Sequence, residues 1–316
     1  MSNAKKPLEG KVAVVTGAGQ SIGRAHALRL AEEGAKVVVN DLGGKVDGTG
    51  ADAALAENVV REIRALGGDA AANGDSVATM AGARRIIESA LDRFGRIDIL
   101  INNAGIFRPN MIQDATEEDF DLLMAVHVKG TFGTVRHAAP HFIAQRSGVI
   151  VNTGSDSGLG QYGNSIYGAA KEAIAGFTRS IARDLGPYNV RANLIRPGAR
   201  SRMVADPKMA GFAEEAELKH GFPAGGDIWA TRMTTPETIA SLNAEYVADT
   251  AVWLCTDAAS HINGQCFRIM GPELSLVTDP LTVRSIYHQE RWDLAAFSSP
   301  FGQSLHGHLV NRYLPG

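Results

Sequence analysis

The chain of 316 residues is 45% hydrophobic and 21% charged, an ordinary globular profile with length enough for one large α/β core. A net charge of −3 and a pI near 6.3 give no footing for nucleic acid or an anionic membrane surface. Cys255 and Cys266 have no metal-ligand spacing and make a poor disulfide framework, so they read as small buried hydrophobes in a reducing compartment.

No run approaches the ~20 apolar residues of a membrane span. The first ten residues lack an apolar h-region, and the chain ends Tyr-Leu-Pro-Gly316 without a peroxisomal signal. The expectation is a cytoplasmic protein with no metal.

Lys11-Val-Ala-Val-Val-Thr16 is apolar and β-branched and reads as a buried parallel strand. Gly17-Ala-Gly-Gln-Ser-Ile-Gly23 follows, then a helix from Arg24 to about Glu33. Strand, glycine turn and helix is the context of a dinucleotide fingerprint, in which backbone amides and the helix N-terminus receive a pyrophosphate. The spacing is G-x-G-x-x-x-G, one residue longer than the usual G-x-G-x-x-G.

Lys36-Val-Val-Val-Asn40 is the second strand. Asp41, at its end, lies 18 residues past Gly23, near the expected ~20 for a carboxylate that takes a ribose 2′-hydroxyl. An anion there repels a 2′-phosphate and argues for NAD over NADP; alternatively Asp41 caps a turn. A Gly/Asp-rich loop spans 43–52, a helix about 53–66 and a short strand 69–73. Asp75 and Ser76 at that strand end read either as adenine contacts or as caps of the helix opening near Thr79.

Ile97-Asp-Ile-Leu-Ile101 is the fourth strand and ends in Asn102-Asn-Ala-Gly105, small enough for close approach to a ligand. A long helix spans 116–138, interrupted near 128–130. Gly148-Val-Ile-Val-Asn-Thr153 is the fifth strand, with Ser155 just beyond it. On the next helix, 164–185, Tyr167 and Lys171 stand one turn apart on one face. An ammonium so placed favours phenolate and lowers the Tyr167 pKa from ~10 toward the working pH, as an acid/base on an alcohol or ketone oxygen requires.

Val190-Arg-Ala-Asn-Leu-Ile195 is the sixth strand, followed by Arg196-Pro-Gly198. Thr16, Asp41, Asp75, Asn103, Ser155 and Pro197 all fall at the carboxyl ends of strands. Ligands bind at that rim in open parallel sheets. Residues 202–242 lose strand pattern and read as a mobile cap; Met203, Met209, Phe212, Phe222 and Trp229 suggest an apolar pocket wall or belong to the core. A helix at 244–255 and a strand at 265–270 complete the pattern. Residues 275–316 form an extension with Tyr287, Trp292, Phe297, Phe301 and Tyr313 that docks rather than floats.

This order predicts an α/β fold: a Rossmann-type doubly wound parallel sheet, three layers deep. A single dinucleotide-binding catalytic domain covers 1–274, including the cap at 202–242, and the extension covers 275–316.

Thr16-Gly-x-x-x-x-x-Gly23, Asn102-Asn-Ala-Gly105, Ser155-x-x-Gly158, Tyr167-x-x-x-Lys171 and Arg196-Pro-Gly198 together resemble the short-chain dehydrogenase/reductase family over about 8–272. Val-Val-Asn-Asp-Leu-Gly-Gly44 and Ala-Asn-Gly-Asp-Ser-Val77 are similar to the branch holding the (3R)-hydroxyacyl-CoA dehydrogenase domain of multifunctional enzymes. The resemblance implies hydride transfer between NAD and a secondary alcohol or ketone. Bulky hydrophobic substrates (a steroid, a terpene alcohol or a hydroxyacyl chain) fit the apolar cap. An NADPH-dependent ketoreductase and a non-catalytic nucleotide-binding scaffold are the alternatives.

The resemblance also implies roles. Tyr167 is the acid/base, Lys171 binds the nicotinamide ribose, and Ser155 holds the substrate oxygen. Gly17, Ser21, Ile22 and Gly23 line the pyrophosphate. Asp41, Leu42, Asp75, Ser76, Asn103 and Gly105 face the cofactor, and Pro197, Gly198 and Ser201 flank the nicotinamide. Family members form homotetramers through the long helices, here 116–138 and 164–185. Three positions depart from the family pattern. Ser21 stands where a glycine is usual, and the Ser155–Tyr167 interval is a residue short. His127 replaces the Asn of a proton relay; its imidazole, titrating near neutrality, either binds a relay water or is structural at a helix kink.

Overall fold

The computed structural model describes residues 5–199, 207–220, 242–282, 285–287 and 293–299. Among these, eight strands form one sheet in the order β3-β2-β1-β4-β5-β6-β7-β8. They are β1 (Val12–Thr16), β2 (Lys36–Asn40), β3 (Ala70–Asn73), β4 (Ile99–Asn102), β5 (Gly148–Thr153), β6 (Val190–Gly198), β7 (Cys266–Met270) and β8 (Glu273–Val277). All neighbours pair in parallel except β7 and β8, which are antiparallel.

Helices cover both faces because the strand side chains alternate. Ala13 and Val15 of β1 turn toward α1 (Ser21–Glu32), α2 (Ala54–Ala65) and α8 (Ala244–Leu254). Val12 and Val14 turn the other way, toward α3 (Met80–Phe94), α5 (Gly130–Gln145) and α6 (Ser165–Leu185). Two apolar clusters thus sandwich one sheet, as the expected three layers require.

Several boundaries differ from the sequence reading. Helix α1 begins at Ser21 rather than Arg24. The long helix divides into α4 (Glu117–Met124), a π-helical turn at Ala125–Lys129, and α5, which runs on past Pro140 to Gln145. The opening of α4 is a reciprocal cap: Thr116 accepts from the Asp119 amide and Asp119 from the Thr116 amide. Strand β6 continues through Pro197 because β7 pairs with it as far as Gly198↔Met270. Proline is tolerated there since β5 pairing has already ended at Ile195. Strand β8 is absent from the sequence reading; it straddles the 274/275 division, an edge strand with half-exposed alternation. The cap is described only in α7 (Pro207–His220), and of the extension's aromatics only Tyr287 and Phe297 fall within the described residues, both exposed.

At the carboxyl half of the sheet a polar chain crosses the apolar interior. Thr134 of α5 donates to Asn102, which donates to its register partner Asn152 at 2.9 Å. Asn152 in turn donates to Thr178 of α6 at 2.9 Å. All four are buried, and their linkage meets the requirement that interior polar groups be paired.

His26 of α1 is fully buried, and neither ring nitrogen has a hydrogen-bond partner. Burial pushes its pKa down to about 3. The folded chain keeps His26 neutral, while the unfolded chain takes up a proton below the ordinary value of 6.5. Stability is therefore whole above 6.5 and falls as pH drops toward 3, by up to about 1.4 kcal/mol per pH unit. His26→Leu should flatten this acid limb in urea unfolding followed from neutrality to pH 4; an unchanged slope would contradict the assignment.

Candidate active site

The rim at the carboxyl ends of β1, β2 and β4 is tied together by backbone and short side chains. Thr16 Oγ1 accepts from the Asn103 and Ala104 amides, both at 3.1 Å. Asn103 Nδ2 donates back to the carbonyls of Thr16 and Gly17. This junction leaves no room for side chains on the glycine turn. A Cβ on Gly17, whose φ is +62°, would lie 2.7 Å from Ala104 Cα, and one on Gly23 would lie 2.0 Å from the Gly17 carbonyl oxygen. Ser21 has a φ of +48°, the left-handed region where glycine costs least. That conformation is the physical reason a glycine suits the position, and Ser21 holds it at the head of α1. Ile22 packs beneath against the cluster that lines α1.

Asp41 stands just past β2. Its Oδ2 accepts from the Gly19 amide and its Oδ1 from the Gly43 amide, each at 2.7 Å. Each oxygen retains a second lone pair, which a ribose diol could use. A Cβ on Gly19 would meet Asp41 Oδ2 at 2.8 Å, so glycine is needed there too. Leu42 is exposed beside it. The cradle of bare glycine backbone, a helix N-terminus and a carboxylate at the end of the adjacent strand fits the diphosphate and ribose of a dinucleotide.

Asp75 and Ser76 do not cap α3. Thr79 does, accepting from the Gly82 amide at 3.0 Å. The Asp75 carboxylate pairs with Arg85 at 2.6 Å and with Asn73, while Ser76 Oγ accepts from the Ala78 amide. Asn40 Nδ2 donates to the Asp75 carbonyl at 2.9 Å, which keeps this segment on the rim.

Ser155, Tyr167 and Lys171 converge where β5 ends and α6 begins. Ser155 opens a 3-10 turn at Asp156–Leu159, its Oγ accepting from the Ser157 amide and donating to Ser157 Oγ, and its side chain lies close enough to Tyr167 to act on the phenol. Tyr167 and Lys171 are both buried. Lys171 Nζ donates to the Thr153 carbonyl at 2.9 Å and stands 5.6 Å from the centre of the Tyr167 ring. The expected fall of the Tyr167 pKa is corrected here: burial pushes it up to about 12, and the Ser155 hydrogen bond only opposes that rise. Burial also lowers Lys171 to about 7, so the lysine is no longer a permanent cation in this pocket.

His127 does not titrate near neutrality. Burial first, and the Lys171 charge second, push it down to about 3. The π-helical turn carries its ring inward, where Nε2 lies 2.9 Å from the Ile106 carbonyl oxygen. The Ile106 amide also lies 3.3 Å from Nε2, so Nε2 donates to the carbonyl or accepts from the amide according to its tautomer, and Nδ1 has no partner in either case. The ring stands edge-on to Tyr167 at 5.3 Å. Gly105 makes room for it, since a Cβ there would lie 2.7 Å from His127 Cε1.

Gly198 gives its space to Met270: a Cβ there would meet Met270 Sδ at 1.9 Å, and that flexible side chain would have to turn aside. Pro197 lies beside it in β6, and Ser201 lies outside the described residues, as do Met203, Phe222 and Trp229. Met209 and Phe212 of α7 do reach the site. Met209 joins the apolar cluster of Ile106, Phe107, Leu123 and Tyr167, and Phe212 stands edge-on to Tyr162. The sequence reading missed Phe107, whose ring is edge-on to Tyr167 at 5.0 Å, and Gly19, which its place in the glycine turn could have flagged.

Gly23→Ala should cost about 1–3 kcal/mol of stability through overpacking and should abolish dinucleotide binding, read by quenching of protein fluorescence with NADH. Retained affinity would remove the turn from the binding site.

Comparison with known proteins agrees with this geometry. A family model described as short chain dehydrogenase matches residues 11–208. The hydroxyacyl-CoA dehydrogenase ChsB1 of Mycobacterium tuberculosis is 38% identical over 286 residues, covering 86% of this chain and 81% of that protein. The peroxisomal multifunctional enzyme type 2 of Mus musculus is 38% identical over 263 residues, 83% of this chain; the chain spans only 32% of that enzyme's length. A short chain dehydrogenase from Mycobacterium paratuberculosis, solved bound to NAD, superposes with a TM-score of 0.75 at 30% identity, over 84% of this chain and 98% of that one. No helix among the described residues is long and apolar enough to cross a membrane. The chain belongs to the short-chain dehydrogenase/reductase family and is an oxidoreductase of CH–OH groups.

Proposed function

We propose that the protein oxidises a secondary alcohol on a bulky apolar chain, of the hydroxyacyl class, with NAD as its partner. The observation that carries this reading is the meeting of Ser155, Tyr167 and Lys171 beside the apolar cluster of Ile106, Phe107 and Met209, on the same rim as the glycine turn and Asp41. The name of ChsB1 supports the substrate class. Asp41 supports NAD, because a 2′-phosphate would face its carboxylate.

Bound NAD would supply the hydride acceptor and a positive charge at its nicotinamide ring. The protein's own part is proton management. Ser155 holds the substrate oxygen through its hydroxyl. Tyr167 takes the alcohol proton on its phenolic oxygen, and in reverse donates it to the ketone oxygen. Lys171, fixed by the Thr153 carbonyl, holds the cofactor ribose and, when protonated, favours the phenolate. With its proton on Nε2, the unpartnered His127 Nδ1 would accept from a relay water that returns the proton to solvent. Phe132 of α5, exposed and edge-on to Phe177 of α6, supports assembly of identical copies into a tetramer through these helices, which light scattering tests.

Tyr167→Phe should leave NADH binding intact and lower kcat by at least about 100-fold. Equal turnover would end this reading. Comparison of kcat/KM with NAD and NADP tests the role of Asp41, and a preference for NADP would favour a ketoreductase. Because the buried phenol holds its proton up to about 12, alcohol oxidation should speed up as pH rises above neutrality, while ketone reduction, which uses the protonated phenol, should stay level.

A further inference from the structure

Two arginines stand side by side under the Ser155 turn. Arg196 of β6 and Arg268 of β7 are register partners on adjacent parallel strands. Arg196 is almost fully buried and donates to three acceptors: the Ser155 carbonyl, Glu172 Oε2 at 2.7 Å and Cys266 Sγ at 3.4 Å. Arg268 donates to Asp156 Oδ2 at 2.7 Å and stands 3.8 Å from Glu273. The two guanidinium groups thus grip consecutive residues, Ser155 and Asp156, of one turn. The other end of the grip is Glu172, the residue after Lys171.

The turn is also pressed against α6. A Cβ on Gly158 would lie 2.8 Å from Glu172 Oε2 and 3.2 Å from Arg196 Nη1. A Cβ on Gly168 would lie 2.6 Å from the Ser157 carbonyl oxygen. Ion pairs that bury their arginines in this way are weak as a source of stability, since apolar residues of like volume often do better. What it provides is a defined geometry between two elements that carry different members of the site.

We propose that Arg196 and Arg268 are positioning residues that set Ser155 against Tyr167 by clamping the 155–159 turn to α6. This inference rests on the assignment of Ser155 and Tyr167 to the reaction. Arg196 touches neither substrate nor cofactor; it acts through the carbonyl of Ser155 and through Glu172.

The test uses the full chain with NAD and a secondary alcohol that it turns over. Arg196→Met should lower kcat by about 100-fold, the cost of a small misplacement of a reacting group, with KM for NAD and NADH binding unchanged. Arg196→Lys keeps the charge but not the fork and should restore part of the loss. In a Ser155→Ala background Arg196→Met should cost nothing more, because both changes remove one device. A kcat equal to the parent's, or losses that multiply, would overturn the proposal. Should Arg196→Met fail to fold by thermal melting, Glu172→Gln, on the partly exposed side of the clamp, carries the same cycle. Crystal structures of parent and Glu172→Gln give an arm free of turnover: a 155–159 turn displaced from α6 supports the clamp, and an unmoved turn refutes it. An inactive parent would refute the functional reading alone, and the crystal structures would still decide the clamp.

Discussion

The hydrogen-bonded chain from Thr134 through Asn102 and Asn152 to Thr178 sets the geometry on which the rest depends. Helices α5 and α6 pack on the sheet through apolar contacts, which are non-directional and allow sliding. Asparagines at one register position of β4 and β5 replace that freedom with a fixed lateral distance. Tyr167 and Lys171 ride on α6, and His127 enters just before α5, so the cluster they form inherits its alignment from this crossing. A fully paired polar network in the interior contributes little net energy per bond but penalises every other arrangement.

Electrostatics at the site follow from desolvation more than from pairing. A tyrosine and a lysine one helical turn apart suggest mutual stabilisation of phenolate and ammonium. Inside the fold both lose water, and each is pushed toward its neutral form, to about 12 and about 7. The same cost silences His127 and His26. A pocket that pushes Tyr167, Lys171 and His127 toward their neutral forms makes their protonation sensitive to any charge that enters with a ligand.

Much of this was legible along the chain. The parallel strands announced themselves as short β-branched runs, the glycine turn by its place between strand and helix, and Asp41 by its distance from Gly23. The convergence of six strand ends on one rim followed from topology alone. Other features depend on partners far away in sequence. Nothing near Asp75 indicates that Arg85 takes its carboxylate or that Thr79 caps the helix instead. The Tyr167 pKa depends on burial beneath Phe107, Ile106 and Met209, a tertiary fact. Strand β8 escaped because its alternation, half exposed at an edge, lies within what reads as a tail. Arg196 was visible as part of a motif, but its reach to Glu172 was not.

The π-helical turn at Ala125–Lys129 has a consequence for how this region's sequence repeats. One row of buried positions, at Asp119, Leu123, His127, Thr131 and Val135, steps by four each time, and α5 adds a second row at Gly130, Thr134, Ala138 and Phe142. In an unbroken α-helix such a step winds the stripe around the axis by about 40° per repeat. One widened turn unwinds part of that rotation and lets a four-residue rhythm stay against the sheet. A helical wheel drawn straight through 117–145 therefore scatters the inner residues around its circumference, and the stretch looks less amphipathic on paper than it is in space.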